Sequence, residues 1–189
     1  MFKKIASVLL LMMTVSSAGS EHQLVQMETN LGAIIIELLP SEAPLSVKNF
    51  LNYVEQGYYD GTIFHRTIPG FMIQGGGFTE ALERKSTKPP ITNESEQTPG
   101  NNRGTLAFAR TPDPDSATSQ FFINVVDNPY LNHQPGRPGY AVFGKVVKGM
   151  DIVDKIAATP TKKQQQFANL PVSAVIIKSV RQVERLLDH

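Results

Sequence analysis

The sequence contains no cysteine, so disulfides, thiolate catalysis, Cys-ligated metal centres and a lipid-bearing cysteine are all excluded. It also lacks an excess of charge of either sign. Its 18 Lys and Arg stand against 17 Asp and Glu, a formal net charge of +1 with no basic block, which argues against nucleic acid as a ligand. No apolar run approaches the ~20 residues that span a bilayer. No heptad run, internal repeat or dividing linker interrupts the chain. With 189 residues, 41% hydrophobic and 19% charged, it reads as one soluble globular domain with a substantial core.

Several chemistries fail on spacing. The histidines are His22, His65, His133 and His189, and none lies at metal-ligand spacing from another, so His65 reads as a hydrogen-bonded structural histidine. Gly75-Gly76-Gly77 follows a strand pattern, but no helix or G-x-G-x-x-G register follows; close backbone approach explains these glycines better than a dinucleotide site. Ser119 has no G-x-S-x-G context and no assignable base. Asn93-Glu94-Ser95 matches a glycosylation tripeptide of the kind that arises by chance.

The N-terminus has the order of a secretory signal peptide. Lys3 and Lys4 start it, Ile5 to Val15 is mostly apolar, and Ser16-Ser17-Ala18-Gly19-Ser20 is small and polar. Residues 1–20 are expected to be removed, with cleavage after Ala18 or Ser20, leaving a domain at 21–189 in the periplasm and no membrane attachment.

Leu24 to Glu28 and Ala33 to Leu38 read as a hairpin around Thr29-Asn30-Leu31-Gly32. Pro44 stands at a first helical position, Val47, Phe50, Leu51 and Val54 recur at helical spacing, and Gly57 stops the run. Short strands follow at 63–66, 72–75, 106–109, 120–124 and 141–147, then a short helix at 150–156 and a last strand around 172–183. Lys162 to Gln166 reads as a solvated turn, and Asn128 to Gly139 as a surface loop. Many short strands with two helices argue for an all-β barrel rather than βαβ units.

Two segments stand out. Phe64-His65-Arg66 through Pro69-Gly70-Phe71-Met72-Ile73-Gln74-Gly75-Gly76 sets one permanent cation beside apolar side chains and an amide. Ser119-Gln120-Phe121-Phe122-Ile123-Asn124 repeats the mixture on a short strand, where alternation puts Phe121 and Phe122 on opposite faces. Such a groove could hold an apolar ring and stabilise charge beside it, but it has no nucleophile. From pattern alone, Phe71, Met72, Phe121 and Phe122 also fit a plain barrel core.

With Gly104-Thr105-Leu106-Ala107-Phe108-Ala109 and Tyr140-Ala141-Val142-Phe143-Gly144-Lys145-Val146, these segments resemble the cyclophilins, the peptidyl-prolyl cis-trans isomerases, in family order from about Val25 to Val180. The resemblance implies a closed antiparallel β-barrel capped by two α-helices, acting without metal or cofactor on X–Pro bonds in unfolded or exported polypeptides. It implies a catalytic role for Arg66, with Gln74 placed toward the substrate carbonyl. Phe71, Met72, Phe122 and Leu131 would form the proline pocket, and Gln74 and Gln120 would anchor the peptide. Arg110 matches a position where the family uses backbone rather than side chain. Two departures concern the rim. The chain has no tryptophan: Tyr130 stands where many cyclophilins carry one, and Tyr140 where they often carry histidine. Cyclosporin binding is therefore expected to be weak. The segment between Ala109 and Ser119 is one residue longer than in the common eukaryotic form, which leaves the match near Thr111 open. A monomer binding proline-containing peptides is expected; the alternative is a non-catalytic peptide-binding or chaperone module that uses the same groove.

Overall fold

The computed structural model describes residues 23–184. The signal-peptide expectation for residues 1–20 lies outside them. Eight strands close into an antiparallel barrel. In chain order the elements are β1 (Leu24–Thr29), β2 (Gly32–Leu38), α1 (Pro44–Glu55), β3 (Thr62–Ile68), β4 (Met72–Thr79), β5 (Thr105–Phe108), β6 (Phe121–Asn124), β7 (Val142–Lys148), α2 (Met150–Ala157), β8 (Thr161–Gln164), β9 (Phe167–Pro171) and β10 (Ile176–Val183). Neighbours around the barrel run β1-β10-β3-β4-β6-β5-β7-β2. Antiparallel order and full closure leave the barrel no free edge.

Local chemistry explains where the elements begin and end. The β1–β2 turn is folded by Thr29, whose Oγ1 accepts from the Leu31 and Gly32 amides at 3.1 Å and donates to the Gly32 carbonyl at 2.7 Å. Pro44 opens α1 at a position whose N–H would have no partner, and Gly57 leaves it with φ near +60°. The helix turns Val47, Phe50, Tyr53 and Val54 inward. They join Met27, Ile34, Ile36, Phe64, Phe108, Phe121 and Phe143 from the strands, and Val153 and Ile156 from α2, in one core inside the barrel.

The end of the chain departs from expectation. The polar stretch read as a solvated turn is β8 and the tip of a hairpin: β8 pairs with β9 in a two-stranded sheet outside the barrel, and the last strand starts only at Ile176. Lys162, Lys163, Gln164, Gln165 and Gln166 carry no apolar alternation from which a strand could be read. The hairpin is held by tertiary contact instead, since Phe167 and Leu170 of β9 pack with Ile63 of β3 in a separate cluster.

Candidate active site

A β-bulge aims the cation. Phe64 pairs with Gly75 and Arg66 with Gln74, so β3 carries one residue, His65, more than β4 between these pairs. Regular alternation would put positions 64 and 66 on the same face. With the extra residue, Phe64 lies in the barrel core while Arg66 lines a cleft outside it. Across the barrel wall Arg66 pairs with Gln74, Gln74 with Phe122, and Phe122 with Ala107, a row of facing positions from β3 through β4 and β6 to β5.

The cleft has a volume of about 150 Å³ and is lined by Arg66, Phe71, Met72, Gln74, Ala109, Arg110, Phe122, Leu131 and Tyr140. Met72 and Phe122 are buried at its floor with Ala107 and Val142, and Phe71, Leu131 and Tyr140 complete an apolar wall. Arg66 Nη1 donates to Gln74 Oε1 at 3.4 Å and approaches Met72 Sδ at 3.9 Å, and its guanidinium carbon is 5.7 Å from the Phe71 ring centroid. Gln74 Nε2 donates to Gln120 Oε1 at 3.0 Å. The arrangement is a greasy recess with a guanidinium at its edge, its direction held by two amides. Among the described residues no three His, Cys, Asp or Glu side chains gather as a metal site would require.

Of the ten residues singled out in the sequence, eight line this cleft. Gln120 stands behind it, bonded to Gln74. Tyr130 sits at the rim, 54% exposed, with its ring 5.9 Å from that of Phe71. Phe121 and Phe122 do face opposite ways, into the core and the cleft. Arg110 borders the cleft, with its guanidinium carbon 4.6 Å from the centroid of the Tyr140 ring.

Sequence reading missed the supports. Ala109 lines the cleft; its place at the end of the quoted Gly104–Ala109 segment was the available signal. Asn93-Glu94-Ser95, read as a chance tripeptide, is a tie between elements. Glu94 accepts from the Leu45 and Ser46 amides at the start of α1, while Ser95 Oγ accepts from Gly139 N at 3.0 Å and Asn93 Nδ2 donates to Gly139 O at 3.2 Å, beside Tyr140. Gly77 is needed for space: a Cβ there would lie 2.7 Å from Gln120 Cδ and 2.8 Å from its Nε2. His65 is structural. It is buried against Phe78 and Phe167, and burial, then the charge of Arg66, lowers its pKa to about 4 against the opposing effect of a backbone hydrogen bond at Ile63.

Known proteins are similar to this chain in sequence and in fold. The family model for cyclophilin type peptidyl-prolyl cis-trans isomerases matches residues 24–182. A peptidyl-prolyl cis-trans isomerase of Acinetobacter baylyi is 54% identical over 181 residues, covering 96% of each chain. Peptidyl-prolyl cis-trans isomerase B of Escherichia coli is 51% identical over 160 residues, covering 83% of this chain and 98% of its own. Among solved structures, a cyclophilin type isomerase of Cryptosporidium parvum aligns with a TM-score of 0.72 at 31% identity, covering 86% of this chain and 98% of that one. The same parasite protein, solved in the presence of the dipeptide Ala-Pro, aligns with a TM-score of 0.71 over 85% of this chain and 99% of that one.

Proposed function

The chain belongs to the cyclophilin-type peptidyl-prolyl cis-trans isomerases, and from that premise we propose that Arg66 is the group that accelerates rotation about the X–Pro bond. The uncatalysed barrier of ~18–20 kcal/mol reflects amide conjugation. As the bond twists, conjugation is lost and the prolyl nitrogen gains a free lone pair. An N–H of Arg66 directed at that nitrogen stabilises the twisted state more than either planar state, and only such differential binding speeds the step. Guanidinium suits the task because it stays protonated and offers five donors.

The single observation that carries this reading is the cation at the edge of an uncharged apolar recess, held by Gln74, which Gln120 holds in turn. Phe71, Met72, Phe122 and Leu131 would seat the proline ring, and Gln74 would face the carbonyl that swings. A five-decade acceleration needs about 7 kcal/mol, of which one well-placed donor supplies roughly 2.7–4. The pre-shaped recess must provide the rest. A module that only binds peptide needs no such donor, so the non-catalytic alternative leaves Arg66 unexplained. The test is Arg66→Ala, expected to lower kcat/KM by about 10²–10³-fold with the fold retained. Near-full activity in the folded variant would refute the role.

We infer further that the substrates are exported or unfolded polypeptides met in the periplasm, from the basic start and short apolar run of residues 1–20. Mass spectrometry of periplasmic protein should find an N-terminus at Gly19 or Glu21; an intact Met1 on soluble cytoplasmic protein would refute it. The Ala-Pro dipeptide used with the parasite relative is a ligand of the kind this cleft would take. For cyclosporin, a phenol at Tyr130 offers its one polar group at the ring tip instead of an indole N–H, which costs roughly 1–3 kcal/mol and makes binding weak. The protein acts as a monomer in this reading.

A further inference from the structure

Two of the residues lining the cleft, Arg66 and Arg110, are cations, and none is an anion. Arg66 is directed at Gln74. Arg110 is anchored to backbone. Its Nε donates to Gly139 O at 3.1 Å, Nη1 to Thr111 O at 2.9 Å and Nη2 to Pro138 O at 2.7 Å. A guanidinium carries five N–H groups, so these three bonds leave two, one on each Nη. No carboxylate among the described residues pairs with Arg110. The acids of the adjoining loop are turned to backbone instead: Asp113 Oδ1 accepts from Asp115 N at 3.0 Å, and Asp115 Oδ1 accepts from Asn93 N at 2.7 Å. The result is a fixed cation with spare donors beside an apolar pocket. Its rotamer entropy is already lost before any substrate arrives.

We propose that Arg110 is a specificity-determining residue that favours substrates with an Asp or Glu side chain next to the proline. The proposal rests on the isomerase reading of the same cleft. A carboxylate can accept the two remaining N–H groups in fork geometry; a glutamine loses the charge, and a lysine repels. Because Arg110 is half-exposed, the gain is modest, about three- to fivefold in kcat/KM, and it shrinks as salt screens the pair.

The experiment measures kcat/KM by exchange NMR, free of any coupling protease, on N-acetylated peptides with Glu, Gln or Lys immediately before or after proline. The expected order is Glu above Gln above Lys at one of the two positions. The Glu-to-Gln ratio should contract at about 0.5 M salt, fall to near unity in Arg110→Gln and survive in part in Arg110→Lys. Equal rates for all three at both positions overturn the proposal. So does a Glu preference that persists in a folded Arg110→Gln variant. Should that variant fail to fold, the wild-type ratio decides, because a preference indifferent to salt also overturns it. A protein that isomerises none of the peptides would instead overturn the isomerase reading itself.

Discussion

Phe64 and Arg66 stand two residues apart on β3, yet Phe64 lies in the barrel core and Arg66 lines the cleft. The extra residue between them, His65, forms the bulge that reverses the alternation. The aim of the cation is thus set by backbone register. The two amides of Gln74 and Gln120 then refine it from the outer face.

Gln120 is expected to act on the reaction through Gln74. In Gln120→Leu the Gln74 Nε2 loses its 3.0 Å partner and Arg66 loses a fixed neighbour. Gly77→Ala should have the same effect by another route, since the added methyl would crowd the Gln120 amide. Both variants should lower kcat by about three- to tenfold, the worth of one hydrogen bond, with KM changed less. A fall confined to KM, or none, would detach Gln120 from the positioning of Arg66.

How much of this was legible in the sequence depended on the range of the interaction. Pro44 and Gly57 bounded α1, and strand alternation separated Phe121 from Phe122, because both signals are local. The resemblance supplied the cleft residues. The bulge at His65 was not readable, because a register shift depends on the partner strand. Nor were the ties from Glu94 to Leu45 and Ser46 and from Asn93 and Ser95 to Gly139, which reach partners 44 to 49 positions away through polar side chains in loops. The β8–β9 hairpin failed for a different reason: its pattern is polar, and two anchors on β9 hold it in place.

Glu94 caps a helix that has no side-chain cap of its own at Ala43. Its carboxylate accepts from Leu45 N at 2.9 Å, Ser46 N at 2.7 Å and Ser46 Oγ at 2.6 Å, and the negative charge faces the positive end of α1. Glu94→Ala removes all three bonds and leaves the buried Ser46 hydroxyl without that partner. A loss of roughly 2–3 kcal/mol is expected in urea unfolding, the range for hydrogen bonds to a buried charged group. Glu94→Gln should recover part of it. A change below a few tenths in Glu94→Ala would mean that the cap contributes nothing net.

Gln165 occupies the tip of the β8–β9 hairpin with φ near +52°, in the left-handed region that a side chain resists. Glycine removes that strain but frees the unfolded chain, so the gain in Gln165→Gly is small, about 0.5 kcal/mol. Valine, branched at Cβ, should cost roughly 1–2 kcal/mol at the same place. The melting temperatures should therefore rank Gly above Gln above Val. A valine variant as stable as the wild type would show that the tip relaxes to another turn.

His65 makes the fold sensitive to mild acid. Its native pKa is lowered to about 4, first by burial and then by the neighbouring Arg66 charge, whereas in the unfolded chain it is near 6.5. Above the unfolded value both states are neutral and His65 carries no proton-linked penalty. Between about 6.5 and 4 the unfolded state binds a proton that the native state refuses, so stability falls as pH falls through that window and levels off below it. The full loss is roughly 3 kcal/mol. His65→Phe keeps the residue count of the bulge and fills the space between Phe78 and Phe167 with another ring, so it should remove this slope while leaving Arg66 aimed as before. Urea unfolding of both proteins across that range isolates the effect, since the carboxyls of Asp60 and Asp154, which hydrogen bonds from Arg181 and Arg103 hold below their ordinary range, are common to them. Parallel stability curves would mean that His65 titrates in the native state as it does in the unfolded chain.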